Sequence, residues 1–383
     1  MKKKKIFISV GEVSGDLYGS ELVKRLPDFE WVGITGSRLE REGVKSVENI
    51  KNISVVGLAE VLPKYLHIRR TFKRAVDILR EGIDTVIVID FPGFNLKLLK
   101  EAKKLGIKTV YFIAPQVWAW GKGRIKKIVE YTDFLIPILP FEKDIYKPYI
   151  SNNFKVKYFG HPLLDIIKTE ETDISFKEKL NIPLDYQIFG LFAGSRESEV
   201  KNHLPILIET AKLIQKVYSK IYFIIPSTTN TYKFVKKYIY DIKDLNLKVI
   251  TEKDFKYFSY EVMEKSIFSL ITSGTATLEA GIIGNPFALI YKVSPLTYFI
   301  GRKIVSIDYL GLPNIIAGRE IIKEFLQEEC NPISLANYSL SVLSDKNAYN
   351  RLKKDLRGLK AVLGDKGALD RISDAIREFV NVY

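Results

Sequence analysis

Short, continuously apolar runs recur from one end of this chain to the other, each followed by a stretch with helical patterning. Lys5–Val10, Thr85–Asp90, Thr109–Ile113 and Phe134–Leu139 form a first series. After Pro162 the pattern weakens into the polar, charged stretch Lys168–Pro183, which lacks a strand and is expected to carry a short helix. It then restarts with Ile188–Ala193, Ile221–Pro226, Lys248–Thr251, Ile267–Thr272 and Pro286–Tyr291. Strands apolar on both faces belong in parallel sheets covered by helices on each side. The expectation is an α/β chain of two Rossmann-like, doubly wound parallel-sheet domains, residues 1–167 and 168–345, facing one another across a cleft. Two helical patterns over 346–383, broken at Gly364, are expected to pack across them. In such sheets ligands sit at the carboxyl ends of the strands, so the strand-to-helix turns are where chemistry is to be sought. Fold alone does not fix it.

Bulk properties narrow the classes. At 383 residues the chain is too long for one ordinary core. No run approaches the roughly 18 apolar residues of a spanning helix. Ile6–Val10, behind a basic start, is too short for a signal core and reads as a first strand. The single cysteine, Cys330, excludes a disulfide framework, so a cytoplasmic location is expected. The net charge of +14 favours anionic partners: nucleic acid, a phosphorylated substrate or an acidic membrane surface. A lysine- and glutamate-rich thermophile surface would give the same excess. A nucleic-acid binder should interleave aromatics with arginines on a strand platform; no such motif is found, and nucleic acid is not an expected partner. No carboxylate cluster has metal-ligand spacing, and His67, His161 and His203 lie far apart, so neither metal nor cofactor is expected.

In the first domain, Gly11-Glu12-Val13-Ser14-Gly15-Asp16 follows the first strand and opens a helix. Its glycine spacing is wrong for a dinucleotide fingerprint, although two glycines let a backbone approach a ligand at a helix N-terminus. Ser14 or Asp16 reads as that helix's cap. Glu12 caps nothing obvious and stands evenly between a structural and a functional role. Asp90, where a buried strand emerges, reads either as a desolvated general base or as a carboxylate bonding the amides of the next turn, the commoner arrangement. In Pro115-Gln116-Val117-Trp118-Ala119-Trp120 the two tryptophans can wall a sugar or acyl site or fill the core, and Gln116 is suited to reading hydroxyls. Leu58–Leu79 mixes Val61, Leu62, Tyr65 and Leu66 with Lys64, His67, Arg69 and Arg70, a basic amphipathic pattern. Such a pattern can lie on an anionic bilayer, though a core-facing helix with a solvated basic side is more common. Pro63 falls at its start.

In the second domain, Gly194-Ser195-Arg196 joins a strand to a helix. It can hold a phosphate through backbone amides, hydroxyl and guanidinium, or be an ordinary turn. Ser273-Gly274-Thr275 is more telling, because it follows a strand and opens a helix whose free N–H groups and dipole suit a diphosphate. Glu279, one turn after Thr275, is placed to accept both hydroxyls of a ribose. An enzyme that grips a nucleoside diphosphate without metal is the reading these turns favour.

Taken as an ordered set, the motifs resemble the lipid-A-disaccharide synthase family. They are GEVSGD at 11–16, GLAEVLP at 57–63, DFPGFN at 90–95, PQVWAW at 115–120, LPFEK at 139–143 and FGHP at 159–162. GSR at 194–196, SGTATLE at 273–279, LPNIIAGRE at 312–320 and FLQEEC at 325–330 complete the set, which covers nearly the whole chain. The resemblance implies the two-Rossmann (GT-B) glycosyltransferase build. It implies inverting transfer of 2,3-diacylglucosamine from its UDP-linked form onto 2,3-diacylglucosamine 1-phosphate, giving a β-1,6-linked disaccharide. It also implies peripheral association with the inner face of the cytoplasmic membrane, through Val61, Leu62, Tyr65 and Leu66, and admits a homodimer. By the same resemblance Asp90 becomes the base for the acceptor's 6-hydroxyl and Glu12 an auxiliary acid, with Ser14 and Gln116 as substrate contacts. Gly194, Ser195, Arg196, Ser273, Gly274, Thr275 and Glu279 become UDP contacts, with Asn314 and Arg319 added to the donor site. One departure is Gly93, where some relatives carry a second acid; its absence leaves Asp90 less ambiguous. A lipid-carrier transferase or an epimerase acting on UDP-N-acetylglucosamine is the same-fold rival.

Overall fold

The computed structural model describes residues 3–53, 61–119, 121, 123–294, 298–299 and 307–381, and of residues 61–65 it describes the backbone alone. The chain divides into two compact units, Met1–Asp165 with Leu363–Tyr383, and Ile166–Val362. The last two helices are shared out between them: Lys346–Leu363 lies almost wholly in the second unit and Ala368–Asn381 in the first.

The first unit holds seven strands: β1 (Lys5–Ser9), β2 (Glu30–Thr35), β3 (Lys45–Asn49), β4 (Thr85–Ile89), β5 (Lys108–Phe112), β6 (Phe134–Ile136) and β7 (Lys155–Val156). Every pairing is parallel, in the order β3-β2-β1-β4-β5-β6-β7. The second unit holds β8 (Gln187–Phe192), β9 (Ile221–Pro226), β10 (Leu247–Ile250), β11 (Ser266–Thr272), β12 (Phe287–Tyr291) and β13 (Glu324–Leu326). Its order, β10-β9-β8-β11-β12-β13, repeats the doubly wound pattern, again all parallel. The expected α/β class with two doubly wound parallel sheets therefore holds. The central strands β1, β4, β8 and β11 are the most continuously apolar because helices cover both their faces, and almost every residue in them is buried.

Four strands lie outside the apolar runs noted above: β2, β3, β7 and β13. Three of them are sheet edges with mixed burial, so nothing in their composition demanded a continuous apolar run. The polar stretch Lys168–Pro183, inside the second unit, carries the short helix Asp173–Lys179, opened by a capping box between Thr172 and Ser175. Among the described residues no helix is long and apolar enough to cross a membrane.

Candidate active site

In the first unit, β4 delivers Asp90 to the carboxyl edge of the sheet, and the chain then turns through two successive left-handed residues, Asp90 at φ 49° and Phe91 at φ 51°. Such backbone costs on the order of 1–3 kcal/mol per residue and persists only where the surroundings over-determine it. They do so here. The Asp90 amide donates to the Ile113 carbonyl at 3.0 Å. The Asp90 carbonyl accepts from the Tyr111 hydroxyl at 3.0 Å and from the Asn95 amide at 2.7 Å. Asn95, wholly buried, is held in turn by the Ser9 hydroxyl at 2.6 Å. The Phe91 ring stacks on Phe94 and presses on Gly11, where a Cβ would fall 2.1 Å from the ring. Gly11 is therefore glycine to admit Phe91 rather than a ligand.

The side chain of Asp90 inherits this enclosure. Burial raises its pKa from the usual 3.8 to about 6, the Phe91 amide opposes the rise, and the charge of Glu12 adds to it. A carboxylate tuned this way is ionised near neutrality yet basic enough to take a proton. Glu12 stands at the N-cap of the helix Val13–Arg25 without a side-chain cap bond, half-buried. Ser14 is half-buried on the first turn of the same helix, and Gln116 is exposed in the loop after β5.

Two expectations for this unit need correction or completion. Asp16 caps a helix, but not its own. Its buried carboxylate accepts from the amides of Gly36, Arg38 and Leu39, at the start of Ser37–Arg41, because the helix Val13–Arg25 carries it to the neighbouring strand end. Trp118 neither fills the core alone nor stands open; its indole donates to the buried Glu142 at 3.0 Å. Trp120 lies outside the described residues. Glu142 was visible in the sequence only as part of a motif. Its signal, an acid opening a short helix soon after a strand, is weaker than that of an acid ending one.

In the second unit, β11 runs through Ser273 into the helix Thr275–Ile283. Gly274, at its N-cap, has φ 153°, no side chain caps the helix, and a Cβ at Gly274 would meet no atom within 4 Å. Among the described residues this helix N-terminus thus carries no side-chain cap, which suits it to an anion. Glu279, one turn on, is half-buried, and the Tyr260 hydroxyl donates to it at 3.2 Å.

The turn after β8 is different. Glu199 reaches back so that one carboxylate oxygen accepts from the amides of Ser195 and Arg196, at 2.9 and 3.2 Å, and the other pairs with the Arg196 guanidinium at 3.2 Å. The expectation that these amides hold a phosphate is corrected: the chain's own acid occupies them as a helix cap, with Gly194 leaving it room. The Ser195 hydroxyl and the half-exposed guanidinium of Arg196 are what this turn presents outward. Asn314 is corrected more fully. It is wholly buried, its nitrogen donates to the Ile322 carbonyl and Glu324, and its oxygen accepts from the amides of Ile321 and Ile322. No polar atom of its amide is left for a ligand, so it braces the segment around Glu324. Arg319 is exposed and forked onto Asp355, 2.7 Å at the shorter contact. Among the described residues no three His, Cys, Asp or Glu side chains are grouped to hold a metal.

Comparison with known proteins places this geometry. The family model described as lipid-A-disaccharide synthetase matches residues 6–366. A lipid-A-disaccharide synthase of Persephonella marina is 64% identical, over 98% of this chain and 99% of that protein. The chain belongs to the lipid-A-disaccharide synthase family. The family's namesake in Aquifex aeolicus is 37% identical over 98% of this chain and 100% of its own length. Membership makes the protein an enzyme of the glycosyltransferase type. Among solved structures, the UDP-GlcNAc 2-epimerase of Neisseria meningitidis bound to UDP-GlcNAc superposes with a TM-score of 0.66 at 14% identity, covering 98% of this chain and 100% of that one. The Methanocaldococcus jannaschii UDP-GlcNAc 2-epimerase, in complex with UDP-GlcNAc and UDP, gives 0.61 at 16%, over 98% and 99%. At these identities the likeness concerns the fold, which synthases and epimerases share as the GT-B build.

Proposed function

We propose that the protein transfers 2,3-diacylglucosamine from UDP-2,3-diacylglucosamine to the 6-hydroxyl of 2,3-diacylglucosamine 1-phosphate. The products are the β-1,6-linked disaccharide 1-phosphate and UDP. The observation that carries the reading is Asp90, a half-buried acid at the end of β4 with its pKa raised to about 6. The acceptor oxygen attacks the anomeric carbon as Asp90 takes its proton, the bond from that carbon to the UDP oxygen breaks, and configuration inverts. The uncapped helix Thr275–Ile283 offsets the negative charge that grows on the departing diphosphate, with Arg196 as its cationic partner. Glu279 takes the ribose hydroxyls, Glu12 serves as auxiliary acid on the acceptor side, and Ser14 and Gln116 contact the acceptor.

Both substrates carry acyl chains, which requires a lipid-facing surface. The helix Val61–Leu79 supplies it in this reading. Glu48 faces its inner side, where it accepts from the Thr71 hydroxyl at 3.3 Å and lies 3.0 Å from His67 Nε2. Leu66, 57% exposed, stands outward with Arg69 and Arg70, a pairing suited to an anionic bilayer surface. The side chains of Val61, Leu62 and Tyr65, expected in the same contact, lie outside the described residues. The enzyme then works peripherally on the inner face of the cytoplasmic membrane.

The test is product analysis: the protein is incubated with the acylated donor and the acylated 1-phosphate acceptor, and with non-acylated UDP-N-acetylglucosamine alone. Disaccharide and UDP in the first mixture are expected. An epimerised sugar nucleotide in the second, with no disaccharide in the first, sinks the proposal in favour of the epimerase reading.

A further inference from the structure

Glu142 opens the short helix Glu142–Tyr146 just past β6 and is only 3% exposed. A buried carboxylate is unfavourable unless donors meet its oxygens. One oxygen accepts from the Trp118 indole; the other accepts from the amides of Ile138 and Leu139 at 3.2 and 3.0 Å. The Trp118 ring also meets Phe141 edge to face, with centroids 5.3 Å apart. One side chain therefore ties the loop after β5, which bears Gln116, to the loop after β6. Of the strands beneath, β5 is the neighbour of β4 and β6 lies beyond β5, and their ends are linked in series: the Asp90 amide donates to the Ile113 carbonyl, and the Ile113 amide to that of Ile136. The clip sits on the same strand ends that present Asp90.

We propose that Glu142 is a positioning residue for the transfer: by clipping the Gln116–Trp118 loop to the β6 loop it sets where the acceptor hydroxyl meets the base. This rests on the reading of Asp90 as that base. Burial raises the Glu142 pKa to about 7, its three N–H donors oppose the rise, and the Asp90 charge adds to it. The phenols of Tyr146, on its own helix, and Tyr158, beyond β7, also face it. The Tyr146 hydroxyl is buried and has no hydrogen-bond partner among the described residues. An ionised Glu142 grips all three N–H donors more strongly than a protonated one, so the clip tightens as pH rises through about 7.

The test compares Glu142→Gln, Trp118→Phe and Asp90→Asn in the full chain, with folding checked by circular dichroism and kinetics measured from pH 5 to 9. The wild-type kcat profile is expected to show two inflections, the lower from Asp90 and the upper from Glu142. Glu142→Gln turns an NH2 group toward backbone N–H donors. It is expected to lower kcat about 10- to 100-fold, as a misplaced reacting group does, to raise the acceptor KM, to leave UDP binding unchanged and to lose the upper inflection. Trp118→Phe keeps the ring and removes one donor. It is expected to lower kcat about threefold to tenfold, the scale of one lost hydrogen bond, and it carries the test alone if Glu142→Gln does not fold. Wild-type kcat, acceptor KM and pH profile in either folded variant overturn the proposal. So does a Glu142→Gln enzyme with lowered kcat that keeps both inflections, because support of the fold alone would do that. An active Asp90→Asn enzyme sinks the base assignment. An inactive one, beside an unaffected Glu142→Gln, sinks only the role of Glu142.

Discussion

After β4 the chain bends through Asp90 and Phe91, both left-handed, and protein packs against the backbone of the bend: Asn95 and Tyr111 on the Asp90 carbonyl, Ile113 on its amide, Gly11 against the Phe91 ring. After β11 the bend rests on Gly274 alone, the helix that follows has no side-chain cap, and the space a Cβ would enter is empty. Both are strand-to-helix turns at the carboxyl edge of a doubly wound sheet. The first is closed and strained around a charged group, which moves that group's pKa. The second has no side-chain cap among the described residues. A proton-transferring acid gains from enclosure because desolvation brings its pKa toward neutrality. A diphosphate grip gains from incompleteness because the ligand itself is the cap. The turn after β8 sharpens the contrast, since Glu199 supplies there the cap that the turn after β11 lacks.

The comparison is most exposed to Asp90→Asn. Turnover is expected to fall by about a thousandfold, within the range for loss of a general base, while UDP binding measured by calorimetry is retained. Stability should move the other way. Asp90 holds its proton more tightly in the folded chain than in the unfolded one, so it contributes stability below pH 4 that is lost as pH rises through about 6. Above that, the charged group costs on the order of 3 kcal/mol. Asparagine, which tolerates the left-handed region, should therefore raise Tm at pH 8 and leave it unchanged near pH 4. An equal Tm at both pH values, or near-normal turnover, breaks the closed-turn account.

Gly274→Ala tests the open turn. The methyl meets no neighbour among the described residues, but φ 153° is backbone that a side chain rarely adopts, so about 1–3 kcal/mol of strain is expected, which the fold should survive. UDP affinity is expected to drop about tenfold as the first-turn amides are obstructed. Unchanged affinity would mean that the diphosphate lies elsewhere. Tyr260→Phe removes the hydroxyl that orients Glu279 and should weaken UDP binding about threefold, the scale of one hydrogen bond, with kcat unaltered. The smallest change in rate at neutral pH is expected from Glu12→Gln. Because the charge of Glu12 raises the pKa of Asp90, its removal should move the acid limb of kcat/KM to lower pH. A limb that stays at about 6 assigns the whole shift to burial.

Much of this was legible in the order of residues. Continuous apolar runs determined two parallel sheets, because strands buried on both faces admit no polar side, and the small-residue turn before Thr275 marked a helix N-terminus. Edge strands such as β3 and β13 escaped notice because a strand half in water needs no apolar run. Asp90 could be singled out but not assigned. The sequence places an acid at a strand end, whereas its pKa depends on Glu12 and on burial by residues distant along the chain. Asp16 was legible only as the cap of its own helix, Asn314 only as a donor-site contact implied by the resemblance, and Glu199 not at all. Which amides each would meet depended on how helices and neighbouring strands bring remote segments together, and that turned a presumed ligand contact at Asn314 into a brace. Periodicity is local and survives in one dimension. Hydrogen-bond satisfaction and desolvation are properties of packed space, and only the tertiary structure decided them.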